Sequence, residues 1–161
     1  LSGLAFSQTN PRGLSSVTLD GHKVSVDYGR PSLKGKTVEA AMKMPFEPGH
    51  GFWRLGADSS TTFTTATALK FGKVTVPKGI YSLYAQREGA NSWRLVFNKK
   101  HGQWGTHHDP SADFAFVPFR ERKTSSTANE LVIDLMKTGS GATFLVHWGD
   151  MELTTHFRAA S

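Results

Sequence analysis

The chain has 161 residues, of which 38% are hydrophobic and 20% charged, and it contains no cysteine. This length and composition indicate one globular domain with a substantial core, and the lack of cysteine excludes disulfides, zinc–thiolate sites and thiol nucleophiles. No apolar run reaches the ~20 residues that a membrane-spanning helix needs. The net charge of +6 comes from scattered lysines and arginines, a pattern that disfavours nucleic acid as a partner.

The N-terminal residues 1–8, Leu-Ser-Gly-Leu-Ala-Phe-Ser-Gln, are small and largely apolar. They resemble the end of a secretory signal peptide, which predicts an exported protein, periplasmic or extracellular. In the alternative interpretation they belong to the mature protein and lie along a sheet, so that residues 1–9 support self-association with a neighbouring subunit. Both interpretations divide the chain into an N-terminal segment, residues 1–13, and a single β domain, residues 14–161.

Alternation of polar and apolar residues with a period of two dominates the rest of the chain and predicts β-strands. Residues 16–19 and 23–28 alternate on either side of Asp20-Gly21, a dipeptide typical of hairpin turns. Residues 61–69 are rich in threonine, which favours a further strand. More strands are predicted at residues 73–76, 80–85, 93–97, 114–117, 130–136, 142–148 and 152–157.

Residues 38–44 alone have a helical pattern, which Pro45 ends. Many short strands with glycine-rich turns predict an all-β fold, an antiparallel β-sandwich or a partly open barrel with one short helix. Two long irregular loops interrupt the strands, at residues 29–56 and 99–113. Because long loops in compact domains often carry function, they are where a site is expected.

The second loop contains a cluster of potential metal ligands, His101, His107, His108 and Asp109. Imidazoles and a carboxylate at this density predict a site for a divalent transition metal such as Zn²⁺, Cu²⁺ or Ni²⁺. Adjacent histidines of an extended segment face opposite ways, so only one of His107 and His108 joins such a site unless the loop folds back. The favoured alternative is a surface loop with solvated histidines, in which Asp109 caps the Asp-Pro turn.

Both loops also carry candidate ligand-binding residues, namely Arg30, Trp53, Arg54, Asp58 and Trp104. A tryptophan beside an arginine can form a stacking platform for a sugar or a base. In the favoured alternative Trp53 anchors the core, and Arg54 pairs with Asp58 or Asp27 to hold the loop down. Motifs of P-loop enzymes, serine hydrolases and zinc proteases are absent from the sequence.

Four longer motifs follow one another along the chain. They are Tyr28-Gly29-Arg30-Pro31-Ser32-Leu33-Lys34-Gly35-Lys36, Trp53-Arg54-Leu55-Gly56-Ala57-Asp58, Pro77-Lys78-Gly79-Ile80-Tyr81-Ser82-Leu83, and Trp93-Arg94-Leu95-Val96-Phe97-Asn98-Lys99 running into Gln103-Trp104-Gly105. Their order and spacing resemble the bacterial domain-of-unknown-function family 2911. The resemblance implies an exported protein with a compact β domain, and it assigns no activity or cofactor. The chain departs from the family pattern at residues 58–61 and at Phe116, where the family often has arginine.

Three functional hypotheses follow from these features. The first is a non-catalytic binding or structural module that takes a glycan, peptide or small ligand through its aromatic residues. The second is a self-assembling extracellular subunit that uses the apolar N-terminal strand. The third is a metal-dependent enzyme or metal carrier centred on residues 101–109. The first is favoured because the sequence alone does not bring an acid, a base and an electrostatic stabiliser together.

Overall fold

The computed structural model describes residues 9–42 and 51–160. Strands account for most of these residues: β1 (Arg12–Leu19), β2 (His22–Gly29), β3 (Thr62–Thr65), β4 (Leu69–Phe71), β5 (Val74–Val76), β6 (Gly79–Arg87), β7 (Ser92–Asn98), β8 (Asp113–Thr138) and β9 (Gly141–Ala159). Helix α1 spans Val38–Met42, and a 3₁₀ turn spans Pro110–Ala112. The predictions of export and self-association rest on residues that lie largely outside these ranges. No described helix is long and apolar enough to cross a membrane.

The strands form one antiparallel sheet in the order β1-β2-β3-β6-β7-β8-β9-β4-β5, which does not close into a barrel. The predicted all-β class with a lone short helix is therefore confirmed. The hairpin predicted at Asp20-Gly21 joins β1 to β2, with Leu19 paired to His22. Both turn residues have positive φ, as a tight two-residue hairpin requires.

The long hairpin of β8 and β9 corrects the predicted strand count. Residues 114–117 and 130–136 were expected to form two strands, but they belong to one strand of 26 residues. Residues 142–148 and 152–157 are likewise joined in β9. Two register shifts, on either side of Ala128, let the pair bend and continue instead of breaking.

The sheet coils on itself, so that its inner face buries one aromatic core. Phe63 of β3 lies at the centre, with ring centroids 5.4 Å from Phe97, 6.2 Å from Phe144 and 6.3 Å from Phe157. The Ser15 hydroxyl of β1 accepts a hydrogen bond from the Leu135 amide at 2.9 Å and thereby joins the first strand to the far half of β8.

The two long loops are held by backbone hydrogen bonds to the sheet and to each other. Trp53 exchanges two with Ala85 of β6, at 2.8 and 2.9 Å. The Gly105 amide donates to the Asp58 carbonyl at 2.8 Å, and the Ser60 amide donates to the Gln103 carbonyl at 2.9 Å. The segment between β2 and β3, which contains the first predicted loop, therefore meets the second loop on one side of the sheet.

Candidate functional site

A cleft of about 640 Å³ opens where the two loops meet. This volume lies within the range of small-molecule sites. The cleft is bordered by the loop after β2, by α1, by residues 52–57 and 104–108, and by single side chains of β6 and β9. Its lining consists of Asn10, Pro31, Ser32, Leu33, Lys34, Lys36, Ala41, Met42, Phe52, Trp53, Arg54, Gly56, Ala57, Tyr84, Trp104, Gly105, Thr106, His108 and Trp148.

Aromatic side chains form much of this lining. Trp53 and Trp148 are stacked, with ring centroids 5.8 Å apart, and the edge of Trp93 packs against Trp53 at 6.3 Å. All three are almost completely buried and join the cleft to the core. Phe52 and Trp104 are only half-buried, so they offer apolar surface to a ligand.

Arg54 is the half-buried cation of the cleft. Within the described ranges its guanidinium makes no hydrogen bond and no ion pair. A buried nitrogen without a partner would be an unsatisfied donor, and Arg54 has none, so each of its guanidinium nitrogens is accessible to solvent. Burial lowers the pKa of Arg54, and the nearby charge of Asp58 raises it in part. The prediction that Arg54 forms an ion pair with Asp58 or Asp27 is therefore wrong: Arg54 contacts neither carboxylate, and Asp58 acts on it only through its charge.

Each of those two carboxylates has other partners. Asp27 pairs with Arg12 of the neighbouring strand. Asp58 accepts hydrogen bonds from the amides of Thr9 at 3.1 Å and Asn10 at 2.9 Å, and from both of their side chains. Burial raises the pKa of the Asp58 carboxyl, but the hydrogen bonds from Asn10 and Thr9 together outweigh burial and leave it below its usual value.

The close packing of the loops depends on glycine. A Cβ at Gly29 would lie 2.2 Å from the carbonyl oxygen of Ala57, so only glycine lets the end of β2 approach the turn that carries Asp58. Gly105 similarly passes next to Arg54, since a Cβ there would lie 2.9 Å from its Cδ. The second loop is thereby pressed against the arginine.

On the other wall of the cleft, His108 pairs with Asp113, the first residue of β8. Its Nε2 lies 3.0 and 2.9 Å from the two carboxylate oxygens. The side chains of His108 and Asp113 are 12% and 5% exposed. The imidazole also packs against the rings of Phe52 and Tyr84, each with a centroid distance of 4.3 Å.

Tyr84 contributes a buried hydroxyl next to this pair. The Gln103 amide donates to it at 3.1 Å, and Gln103 in turn accepts a hydrogen bond from Ser82 at 3.3 Å. Burial raises the pKa of Tyr84, and the charge of Asp113 raises it further, against the effect of Gln103. The phenol therefore stays neutral and fixed.

The charges of the cleft are of one sign. Arg54, Lys34 and Lys36 line it, and both lysines are exposed. Among the described residues that line the cleft there is no aspartate or glutamate. The cleft is thus electrostatically suited to a negatively charged ligand.

The ligand-binding candidates predicted from sequence are only partly brought together. Trp53, Arg54 and Trp104 line the cleft. Asp58 lies beneath it and holds residues 9 and 10. Arg30 does not line it; its Nε donates to the Leu131 carbonyl at 2.9 Å and ties the first loop to β8.

The candidate metal ligands are not gathered around one point. His101 and His107 are exposed, and His108 is directed to Asp113. Asp109 contacts Lys100 Nζ at 2.6 Å and caps the 3₁₀ turn through the Ser111 amide, as the alternative interpretation expected. No group of three or more histidines and carboxylates in residues 9–42 and 51–160 has a metal-binding arrangement. The metal hypothesis stays a prediction.

Asp113 and Trp148 were not singled out as site residues from the sequence. Trp148 lines the cleft and Asp113 acts on it through His108 only because of the fold, since they lie in β9 and β8 while their partners lie in the loops. Gln103, by contrast, stands beside Trp104 in the second predicted loop, among the potential ligands there.

In a comparison with protein families, residues 10–157 match the model of a protein family of unknown function, DUF2911. The match covers nearly the whole domain and includes both loops of the cleft. Neither a curated protein nor a solved structure is significantly similar to the chain.

Proposed function

Since the chain belongs to the DUF2911 family, which assigns no activity, we propose its function from the cleft: it binds a small organic anion. In this proposal Arg54 pairs with a carboxylate or phosphate group of the ligand. The half-buried aromatic side chains Phe52 and Trp104 contact its apolar part. This is the binding module of the first sequence hypothesis, with the charge of its ligand specified.

The free guanidinium of Arg54 is the observation that carries the proposal. A cation taken out of bulk water loses hydration, and an anionic partner restores the lost interaction. Asp58 is the nearest candidate within the protein, but Thr9 and Asn10 occupy it. A ligand carboxylate or phosphate can supply paired oxygens in the fork geometry that a guanidinium prefers.

A titration with matched aromatic probes tests this proposal. Phenylacetate and phenyl phosphate carry an anion beside a ring, whereas phenylacetamide has a similar shape without charge. We expect the two anions to shift the backbone amide NMR signals of Gly105 and Thr106 saturably. Phenylacetamide should bind at least tenfold more weakly. An ion-paired hydrogen bond of ~1.5–3 kcal/mol accounts for a difference of this size.

Two variants separate the role of Arg54 from that of general charge. Arg54→Gln removes the guanidinium and should weaken binding of both anions by at least tenfold. Arg120→Gln removes the same charge from an exposed position of β8 and should leave binding unchanged. The proposal fails if phenylacetate and phenylacetamide bind with equal affinity, if neither anion binds, or if the two variants have equal effects on binding.

A further inference from the structure

The pairing of His108 with Asp113 places a fixed hydrogen-bond acceptor at the wall of the cleft. We propose that His108 is a specificity-determining residue and that it selects anions which also carry a hydroxyl group, such as hydroxy acids and sugar acids. The inference rests on the proposed function, since it presumes that Arg54 binds the acid group. It adds a second point of recognition, which Arg54 cannot provide.

The carboxylate determines which nitrogen of His108 carries the proton. An ionised aspartate only accepts hydrogen bonds, so Nε2, at 2.9 and 3.0 Å from its oxygens, must be the donor. In the neutral imidazole the other nitrogen, Nδ1, then holds a lone pair and acts as an acceptor. The protonation pattern is set by the protein before any ligand arrives.

The surrounding residues keep this arrangement rigid. Asn98 donates to Asp113 Oδ1 at 2.7 Å and to the Asp109 carbonyl at 2.8 Å, while the Lys100 amide donates to Asn98 Oδ1 at 2.9 Å. The ring of His108 is in contact with Phe52 and Tyr84. A ligand therefore meets a preorganised acceptor and spends little free energy on ordering it.

The acceptor has no hydrogen-bond partner within the described ranges and reaches solvent. If Nδ1 of His108 were buried, it would be a buried atom without a hydrogen bond. Among the described residues that condition is met by Arg94 Nε alone, so Nδ1 of His108 is accessible to solvent. His108 lines the same cleft as Arg54. A bound ligand that covers Nδ1 must replace the hydrogen bond that solvent can make there or lose affinity.

The chemistry of the partner group follows from the charges. An ionised carboxylate or a phosphate dianion has no proton to donate to Nδ1, and an ammonium group would be repelled by Arg54, Lys34 and Lys36. A neutral hydroxyl can donate and carries no charge. An acid group for Arg54 combined with a hydroxyl for His108 defines a hydroxylated anion as the ligand class.

Mandelate and phenylacetate form a matched pair of probes, because they differ by one hydroxyl beside the carboxylate. At pH 8 we expect one enantiomer of mandelate to bind the wild-type protein about tenfold more tightly than phenylacetate, by the NMR titration described above. His108→Phe keeps an aromatic ring between Phe52 and Tyr84 but removes the acceptor, so the ratio of the two affinities should fall to about one. His101→Phe, at an exposed position outside the cleft, should keep the ratio.

A measurement on the unaltered protein covers the case in which His108→Phe does not fold. Nitrogen-15 NMR of the histidine ring at pH 8 should show the proton of His108 on Nε2; a proton on Nδ1 would overturn the inference. Equal affinities for both acids, each lost with Arg54→Gln, would overturn the inference and leave the proposed function standing. Absence of any Arg54-dependent binding would overturn both.

Discussion

Trp53 and Trp148 form an offset stack at the floor of the cleft, with ring planes within 1° of parallel and centroids 5.8 Å apart. Trp53 belongs to the first long loop and Trp148 to the last strand, so the stack joins two parts of the chain that are distant in sequence. Both rings also belong to the continuous buried core. The floor of the cleft is therefore part of the buried core.

We expect Trp148→Ala to lower the free energy of unfolding by about 3–5 kcal/mol, the range found for removal of a buried aromatic ring. The substitution removes the contact with Trp53 and leaves the Asn129 carbonyl without its 3.1 Å hydrogen bond from the indole. Urea denaturation followed by circular dichroism measures the change. Leu14→Ala is the control, because Leu14 is 68% exposed and should cost little. A loss below about 1 kcal/mol in Trp148→Ala would contradict the assigned role.

The β architecture could be predicted because alternation records which face of a strand is buried. In β2 the side chains of Val24, Val26 and Tyr28 are buried, as their spacing predicts. The continuity of β8 could not be predicted, since the polar residues 124–129 have the composition of a turn. They remain in a strand because β9 pairs on both sides of the shift at Ala128.

The sequence predicted which loops form the site, but it did not predict which side chains pair with one another there. The Trp53-Arg54 pair and Trp104 indicated a binding surface, and all three line the cleft. The partner of His108 was not evident, because residues 109–112, which include the 3₁₀ turn, separate it from Asp113 and only the folded loop joins them. The freedom of Arg54 depends on Thr9 and Asn10, which occupy Asp58 from 49 and 48 positions away along the chain.

Asp109 should titrate at a pKa of about 2, chiefly because Lys100 contacts its carboxylate and Ser111 donates to it. Its ionised form therefore stabilises the fold above its usual pKa, and this contribution is lost as the pH falls from about 4 to 2. Carbon-13 NMR of the carboxyl group follows the titration directly. Lys100→Gln should raise the midpoint, whereas the neighbouring Lys99→Gln should leave it in place. A separate titration with Zn²⁺ near neutral pH, where neutral imidazoles can bind a metal, tests the metal hypothesis through the ring signals of His101, His107 and His108.

Asp58→Asn should destabilise the protein at neutral pH by about 1–3 kcal/mol, because an amide cannot accept at both of its polar atoms and so loses part of the hold on Thr9 and Asn10. Asparagine tolerates the positive φ of 63° at this position, so backbone strain does not enter the comparison. The folded-state pKa of Asp58 is lowered. The carboxylate therefore stabilises the fold above the unfolded pKa, and its advantage disappears as the pH falls through the folded pKa. Urea denaturation between pH 7 and pH 3 should show the gap between wild type and variant closing below about pH 4; a gap that is constant with pH would contradict this account.

Lys34 and Lys36 should contribute to ligand binding through long-range attraction, in contrast to the direct contact proposed for Arg54. Both lysines are exposed at the cleft, so salt screens their charges over roughly 10 Å at about 0.1 M ionic strength. The double variant Lys34→Gln/Lys36→Gln should weaken phenyl phosphate binding about twofold to threefold at low salt and have no effect at about 0.5 M salt. Lys73→Gln/Lys78→Gln removes two exposed charges that do not line the cleft and should change little under either condition. If the loss of affinity in Lys34→Gln/Lys36→Gln persisted at high salt, the lysines would contact the ligand directly. Arg54 would then not be the principal anion-binding group of the cleft.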